Sequence, residues 1–408
     1  MAANDTKVVD RMALGPDDGS NSIDTPLRSL RKKLARALVD NVRGGRTALA
    51  PAVLHEDTSF YVDPKRFPRE QERFFRAMPL VACLSVELPE PGSYKPFDDA
   101  GVPILLSRGK DRKVRAFLNV CPHRASRIVR DAGGKANRFT CRFHGWTFDS
   151  AGKAIGVPDE KNFCAEIEGS KHLIECPADE RHGLVFVMPV PGGSMDIDAH
   201  LGELGSDLAA IELGNAQIVH HDTLSVDANW KYGLDTFFET YHLNTLHRET
   251  FKGLFSPVCV YDTFGPHHRY TFAPLRIESW VDMAEEDWPL DTIPLQFFVF
   301  PNTLVAVGST SPTGSTVNIH KIFPTSANHF YSVLSYSAMG GIRSDEHRAE
   351  VDRAYATSRA ALVTEDYSVA AEAHRGLPHL PVGMKLPVGR QEIGVQNFHR
   401  NVRRLLAE

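Results

Sequence analysis

The chain has 408 residues, is 42% hydrophobic and carries a net charge of −5. That is enough apolar material for cores in two or three domains of roughly 100–200 residues each, and so mild a charge argues against nucleic acid or an anionic membrane as partner. No apolar run reaches transmembrane length, no secretory leader opens the chain, and six scattered cysteines read as reduced thiols, so a cytoplasmic protein with no membrane association is expected.

Residues 1–50 read as an N-terminal extension. Its first 24 residues are polar and expected to be disordered. Residues 25–43 then form an amphipathic helix, with Leu27, Leu30, Leu34 and Leu38 on one face and Arg28, Arg31, Lys32, Lys33 and Arg36 mostly elsewhere. The expectation is a packed terminal helix with a solvated basic face rather than a membrane ligand. Residues 78–190 read as short strands: Val81–Leu88, Pro103–Ser107, Val114–Val120 and Gly183–Met188 are apolar runs, separated by turns such as Gly109-Lys110-Asp111.

Within that all-β stretch lies Cys121-Pro-His123, followed after seventeen residues by Cys141-Arg-Phe-His144. Each half offers one thiolate and one imidazole from a tight loop. Pro122 stiffens the first loop, and Gly145 allows a sharp turn after the second. Two cysteines on one iron and two histidines on the other is the ligand set of a Rieske 2Fe–2S centre. A structural zinc site is the competing reading, but zinc fingers usually present their cysteines as a pair.

Residues 216–226 read as a strand leading to Asn229-Trp-Lys-Tyr-Gly-Leu-Asp235-Thr-Phe-Phe-Glu239-Thr-Tyr-His242-Leu-Asn-Thr-Leu-His247. On a helix, Asp235, Glu239 and His242 share a face. His247 would lie about 140° round from His242, so both can bind one metal only if the helix ends or loosens between them. Tyr261–Trp280, Gln296–Val307, Ser315–Phe323 and His329–Ser337 read as strands of an antiparallel sheet. Residues 344–375 read as one helix capped by Ser344, with an apolar stripe through Tyr355, Leu362, Val369 and Ala373. Asp366 falls on that stripe, and Glu365 is rotated from it by about 100°. A carboxylate on a buried face must be paired or bound to metal. Two histidines and one carboxylate, with positions left open, is the triad of non-haem iron oxygenases. His220-His221 and His267-His268 read as strand and loop residues. Phe237, Phe238, Phe297, Phe298, Val299, Val305 and Val307 are candidates for a pocket wall or for the core.

Over roughly residues 50–405 the chain resembles the catalytic α subunit of Rieske non-haem iron ring-hydroxylating oxygenases. The resemblance rests on the Cys/His loops, on Glu239-x-Tyr-His242-x4-His247 and on Glu365-Asp366. It implies an α+β fold in which an all-β Rieske 2Fe–2S domain (78–190) is inserted before an antiparallel-sheet-plus-helices catalytic domain (191–408), with residues 51–77 an N-terminal part of the latter. It further implies that Cys121, His123, Cys141 and His144 hold the 2Fe–2S cluster, and that His242, His247 and Asp366 hold a mononuclear Fe(II). Glu239 stands where relatives, many with Asp, bridge the cluster of one subunit to the iron of the next, and Asp235 where a number carry Asn. The implied activity is O2-dependent mono- or dihydroxylation, or oxidative demethylation, of a small and preferentially aromatic substrate. Electrons come from NAD(P)H through a separate reductase and, in some relatives, a ferredoxin. The implied assembly is a homotrimer, with or without a β subunit. Competing readings are a quaternary-amine oxygenase and a pure Rieske electron carrier. Carriers of respiratory complexes have an extra cysteine in each loop, where this chain has Ser126 and Phe143.

Overall fold

The computed structural model describes residues 25–251, 254–311 and 314–408. The disorder expected for residues 1–24 lies outside them. The chain divides into two compact units. Among the described residues, one comprises 25–64, Glu203–Ile211 and those of Asn215–Glu408, and the other Lys65–Gly202 and Glu212–Gly214.

The smaller unit is built of short antiparallel strands. A five-stranded sheet runs in the order Glu175–Cys176, Val114–Leu118, Ile104–Arg108, Ser93–Phe97, Gly134–Lys135. Ile104–Arg108 is buried along its whole length, as befits a central strand read from a continuous apolar run. A three-stranded sheet pairs Leu184–Val187 with Ala178–Arg181 and Leu80–Leu84. The expected strand Val81–Leu88 stops at Leu84, where the chain turns into a 3-10 segment over Ser85–Glu87. A third sheet, Arg138–Thr140, Thr147–Asp149 and Ala154–Gly156, carries residues 141–146 as a hairpin loop.

The larger unit begins with α1 (Pro26–Arg43), capped by Thr25, whose hydroxyl accepts from Arg28 N at 3.2 Å. Leu30, Leu34 and Leu38 are buried as expected. The basic face is only partly solvated: Arg31 is buried and pairs with Asp291 at 2.5 Å, and Arg36 pairs with Glu285 at 2.7 Å. Three buried leucines contribute about 2 kcal/mol each, whereas solvent screens the exposed Arg36 pair. The apolar stripe therefore holds this helix down.

The unit's main sheet has seven antiparallel strands: β1 (Ala216–Val226), β2 (Phe255–Phe264), β3 (His267–Pro274), β4 (Leu295–Val299), β5 (Thr303–Ser311), β6 (Gly314–Ser326) and β7 (His329–Met339). Their order is β1-β7-β6-β5-β4-β3-β2, a six-strand meander with β1 returned beside its last strand. Two expected strands are in fact hairpin pairs. The run 261–280 is broken at Gly265 (φ 61°) into β2 and β3, and its end from Leu275 is 3-10 helix. The run 296–307 is broken at Phe300-Pro301 into β4 and β5. Phe297, Val299, Val305 and Val307 are almost wholly buried and alternate with Phe298 and Leu304, so they pack on the opposite face from those two.

Between β1 and β2 the chain forms α2 (Trp230–Asp235) and α3 (Leu243–Leu246), separated by an irregular turn. Asn229 caps α2 and donates to Tyr61 O and Ala327 O, both at 2.8 Å. After the sheet come α4 (Asp345–Ala361), a π-helical turn over Leu362–Asp366, and α5 (Tyr367–Gly376). Ser344 caps α4 as read, accepting from His347 N at 3.1 Å. The π turn adds one residue per turn to the helix. Beyond it the buried positions are Tyr367, Ala370 and His374, while the expected Val369 and Ala373 are exposed: the stripe has moved by one. Last comes α6 (Ile393–Leu405). A Cβ on Gly394 would sit 2.3 Å from Phe238 O, so this glycine lets α6 close against the turn between α2 and α3.

Candidate metal centres

The two Cys/His loops share one backbone design. Cys121 N donates to Ser126 O at 2.8 Å and Ala125 N to Cys121 O at 2.8 Å. Cys141 N donates to Trp146 O at 2.7 Å and Gly145 N to Cys141 O at 2.9 Å. The fourth residue after each cysteine is left-handed: Ala125 at φ 53° and Gly145 at φ 75°. Both loops therefore curl back over their cysteine, which turns the sulfur inward. Cys121 and Cys141 are buried and free of disulfide, whereas His123 is half-buried and His144 exposed. The two imidazole centroids lie 4.6 Å apart, and His123 stacks on Trp146 at 5.0 Å. Burial pushes the Cys121 thiol up, against the pull of the His123 and Arg124 amides that donate to its sulfur. Two buried thiols and two more exposed imidazoles, one of each per loop, fit the ligand set of a Rieske cluster. Cys141→Ser should remove the visible Rieske absorption. A spectrum unchanged by that substitution would contradict this ligand set.

The second centre lies in the larger unit. Its segment does not stay helical from Asp235 to His247; α2 ends at Asp235, and His242 caps the short α3. That break removes the angular conflict between the histidines. Their ring centroids are 5.0 Å apart, and both Nε2 atoms face Asp366 Oδ1, at 3.5 Å for His242 and 3.2 Å for His247. Ligand atoms of these three residues all lie within 4.8 Å of one another. Asp366 Oδ1 is buried and accepts no well-formed hydrogen bond, which costs free energy unless a cation answers it. The residues present thus fit a single metal ion.

Each histidine is held from behind. His242 Nδ1 meets Glu239 Oε1, and Glu239 Oε2 accepts from the amides of Tyr241 and His242, the latter at 3.1 Å. His247 Nδ1 donates to Glu365 Oε2 at 2.7 Å, and Thr250 Oγ1 donates to the same carboxylate at 2.7 Å. Burial alone would lower the His247 pKa, but Asp366 and Glu365 outweigh it and hold it above its ordinary value. A carboxylate behind Nδ1 fixes the tautomer that leaves Nε2 free for a metal. Glu365 was placed off the inward face by regular helix geometry, and the π turn brings it in. Its adjacency to Asp366 is the only sequence signal for it. Glu365→Gln should weaken iron binding by about 10- to 100-fold, measured by titrating apoprotein with Fe(II). Unchanged affinity would contradict this supporting role.

Asp235 lies elsewhere. Its carboxylate accepts from Tyr61 OH at 2.7 Å and meets His399 Nε2 at 3.1 Å, and His399 Nδ1 meets Glu56 Oε2 at 3.2 Å. Burial would push His399 down, but Asp235 and Glu56 hold its pKa above the ordinary value. Of the paired histidines, His220 contacts Asp352 at 2.7 Å and His267 Nδ1 accepts from Phe300 N at 2.9 Å, both structural roles.

The profile "Rieske [2Fe-2S] domain" matches residues 78–177, and "Ring hydroxylating alpha subunit (catalytic domain)" matches residues 213–408. The chain belongs to the Rieske oxygenase α subunits. These two domains imply a Rieske 2Fe–2S cluster and a mononuclear iron. Among curated relatives, this Rieske oxygenase chain is 30% identical over 190 residues to the carnitine monooxygenase oxygenase subunit of Escherichia coli K12, covering 46% of this chain and 50% of the relative. It is 28% identical over 235 residues to the glycine betaine monooxygenase oxygenase subunit of Chromohalobacter salexigens, covering 58% and 50%. It is 29% identical over 195 residues to the biphenyl 2,3-dioxygenase α subunit of Rhodococcus jostii, covering 46% and 42%. The chain thus spans about half the length of the curated relatives it matches. Among solved structures, the quaternary ammonium Rieske monooxygenase CntA superposes with a TM-score of 0.75 at 21% identity, covering 87% of this chain and 96% of that one. Naphthalene 1,2-dioxygenase from Rhodococcus sp. gives 0.71 at 19%, covering 92% and 98%. These likenesses bear out the α+β Rieske-plus-catalytic fold. No helix among the described residues is long and apolar enough to cross a membrane.

Proposed function

We propose that this chain is the terminal oxygenase of a multicomponent system, hydroxylating or oxidatively demethylating a small organic substrate with O2. The observation that carries the reading is the buried, unpartnered Asp366 Oδ1 facing the Nε2 atoms of His242 and His247. A pure electron carrier has no use for such a site. His242, His247 and Asp366 would hold Fe(II), and Cys121, His123, Cys141 and His144 the cluster. When bound, the iron supplies O2 activation through its open positions and the cluster supplies the second electron. The chain's own residues do the rest. Glu239 and Glu365 hold the imidazole Nδ1 protons, which keeps both Nε2 lone pairs on the metal side. Asp235 is a positioning residue that ties the end of α2 to Tyr61 and His399.

Electrons would reach the cluster from a separate reductase, directly or through a ferredoxin. Glu239 would connect the cluster of one subunit to the iron of its neighbour. That arrangement requires a head-to-tail ring, most simply a homotrimer in the cytoplasm. Similarity to carnitine and glycine betaine monooxygenases supports a second reading, a quaternary amine as substrate. The test is O2 uptake with a surrogate reductase and NADH, scored with product identification across aromatic and quaternary-amine substrates. Substrate-dependent uptake is expected. Uptake that no substrate stimulates, in protein loaded with both centres, would overturn the reading.

A further inference from the structure

The face of the main sheet that meets the iron-site segment is identified by two ring contacts: Phe237 lies 4.9 Å from His320, and Phe238 lies 4.7 Å from Phe298. His320, Leu304 and Phe298 are direct partners across β6, β5 and β4 and so share that face. The neighbouring row on the same face runs Asn318, Ala306, Gln296. Three side-chain atoms on these rows are buried without a hydrogen-bond partner among the described residues: Asn318 Oδ1, Gln296 Oε1 and His320 Nδ1. His320 is only 5% exposed.

Such atoms keep the full desolvation cost of burial if nothing ever answers them. Small side chains leave room on this face. Ala306 offers only a methyl between the two amides, which are two strand spacings, roughly 10 Å, apart. Gly308 continues the same face, and a Cβ there would meet no atom within 4 Å. Ala306 and Gly308 are half-buried, while Val305 and Val307 on the other face are closed. The two rows carry no charged side chain: burial pushes the His320 pKa down to about 3, so its imidazole is neutral.

We propose that this polar hollow beside the iron site binds a neutral substrate carrying N–H or O–H donors, with Asn318, Gln296 and His320 as its specificity residues. An apolar arene would leave all three atoms unanswered. A quaternary ammonium has no N–H to donate, and these rows offer it no carboxylate. The inference rests on the reading of His242, His247 and Asp366 as the reacting centre.

The test is equilibrium binding to the holoenzyme by calorimetry, with naphthalene, 2,6-dihydroxynaphthalene, 2-naphthoate and carnitine as probes. The diol should bind at least about tenfold more tightly than the other three, because a site built for hydrogen bonds rejects analogues that lack them. Asn318→Leu and Gln296→Leu should each erase most of that preference while keeping the Rieske spectrum. Gly308→Val should weaken the diol and naphthalene alike by filling the hollow. A stronger or equal response to naphthalene, 2-naphthoate or carnitine would overturn the proposal. So would a diol preference untouched by both leucine variants, or no diol binding at all. Should a leucine variant not fold, the wild-type ranking together with Gly308→Val decides. Iron content of the same preparations scores the iron-site reading separately.

Discussion

Asp366→Ala should abolish substrate-dependent turnover while leaving the Rieske absorption spectrum intact. Among the described residues, its carboxylate is the only one with an oxygen facing both histidine Nε2 atoms, and on the proposed triad its loss would leave two imidazoles that hold iron weakly. The expected loss is to background, at least about 10³-fold, comparable to deleting a group on which the chemical step depends. The spectrum should survive because the four cluster ligands belong to the other compact unit. A variant with full activity would mean that Asp366 is not a ligand, and Glu365 would then have to leave His247 and serve instead.

Glu239→Gln should slow electron transfer from reduced cluster to iron on the order of 10–100-fold, the usual effect of removing a carboxylate behind a metal-bound histidine. Both centres should still load at saturating Fe(II), since Gln keeps the side chain's length and can still accept from the Tyr241 and His242 amides that now bind Glu239. Single-turnover kinetics after chemical reduction isolate the step. An unimpaired rate would remove Glu239 from the electron path, and a fully active monomer would remove the ring.

Much of the site was legible because its signals are local. The Cys/His loops are six residues each, with sulfur, imidazole and left-handed turn all set within one curl of backbone. The spacing of His242 and His247 even required a broken helix, and α2 does end at Asp235. What regular geometry could not supply was irregular backbone. The π turn at Leu362–Asp366 rotates Glu365 inward and shifts the buried stripe from Val369 and Ala373 to Ala370 and His374. Nothing in the local residues of 362–366 announces that turn. Long-range partners were equally hidden. Asp235 meets His399 across 164 positions of sequence, and the row of Asn318 with Gln296 exists only once β4, β5 and β6 are in register. The pocket candidates Phe297, Val299, Val305 and Val307 turned out to be core because strand alternation assigns a face only after the strand's ends are known.

The central claim is that one chain holds a two-iron cluster and a separate single iron. Iron and acid-labile sulfide counted together on intact protein and on Asp366→Ala test it most directly. The intact chain should contain about three irons and about two sulfides, and the variant about two irons with its sulfide unchanged. Stoichiometric zinc without sulfide, or a variant that keeps its third iron, would contradict the account.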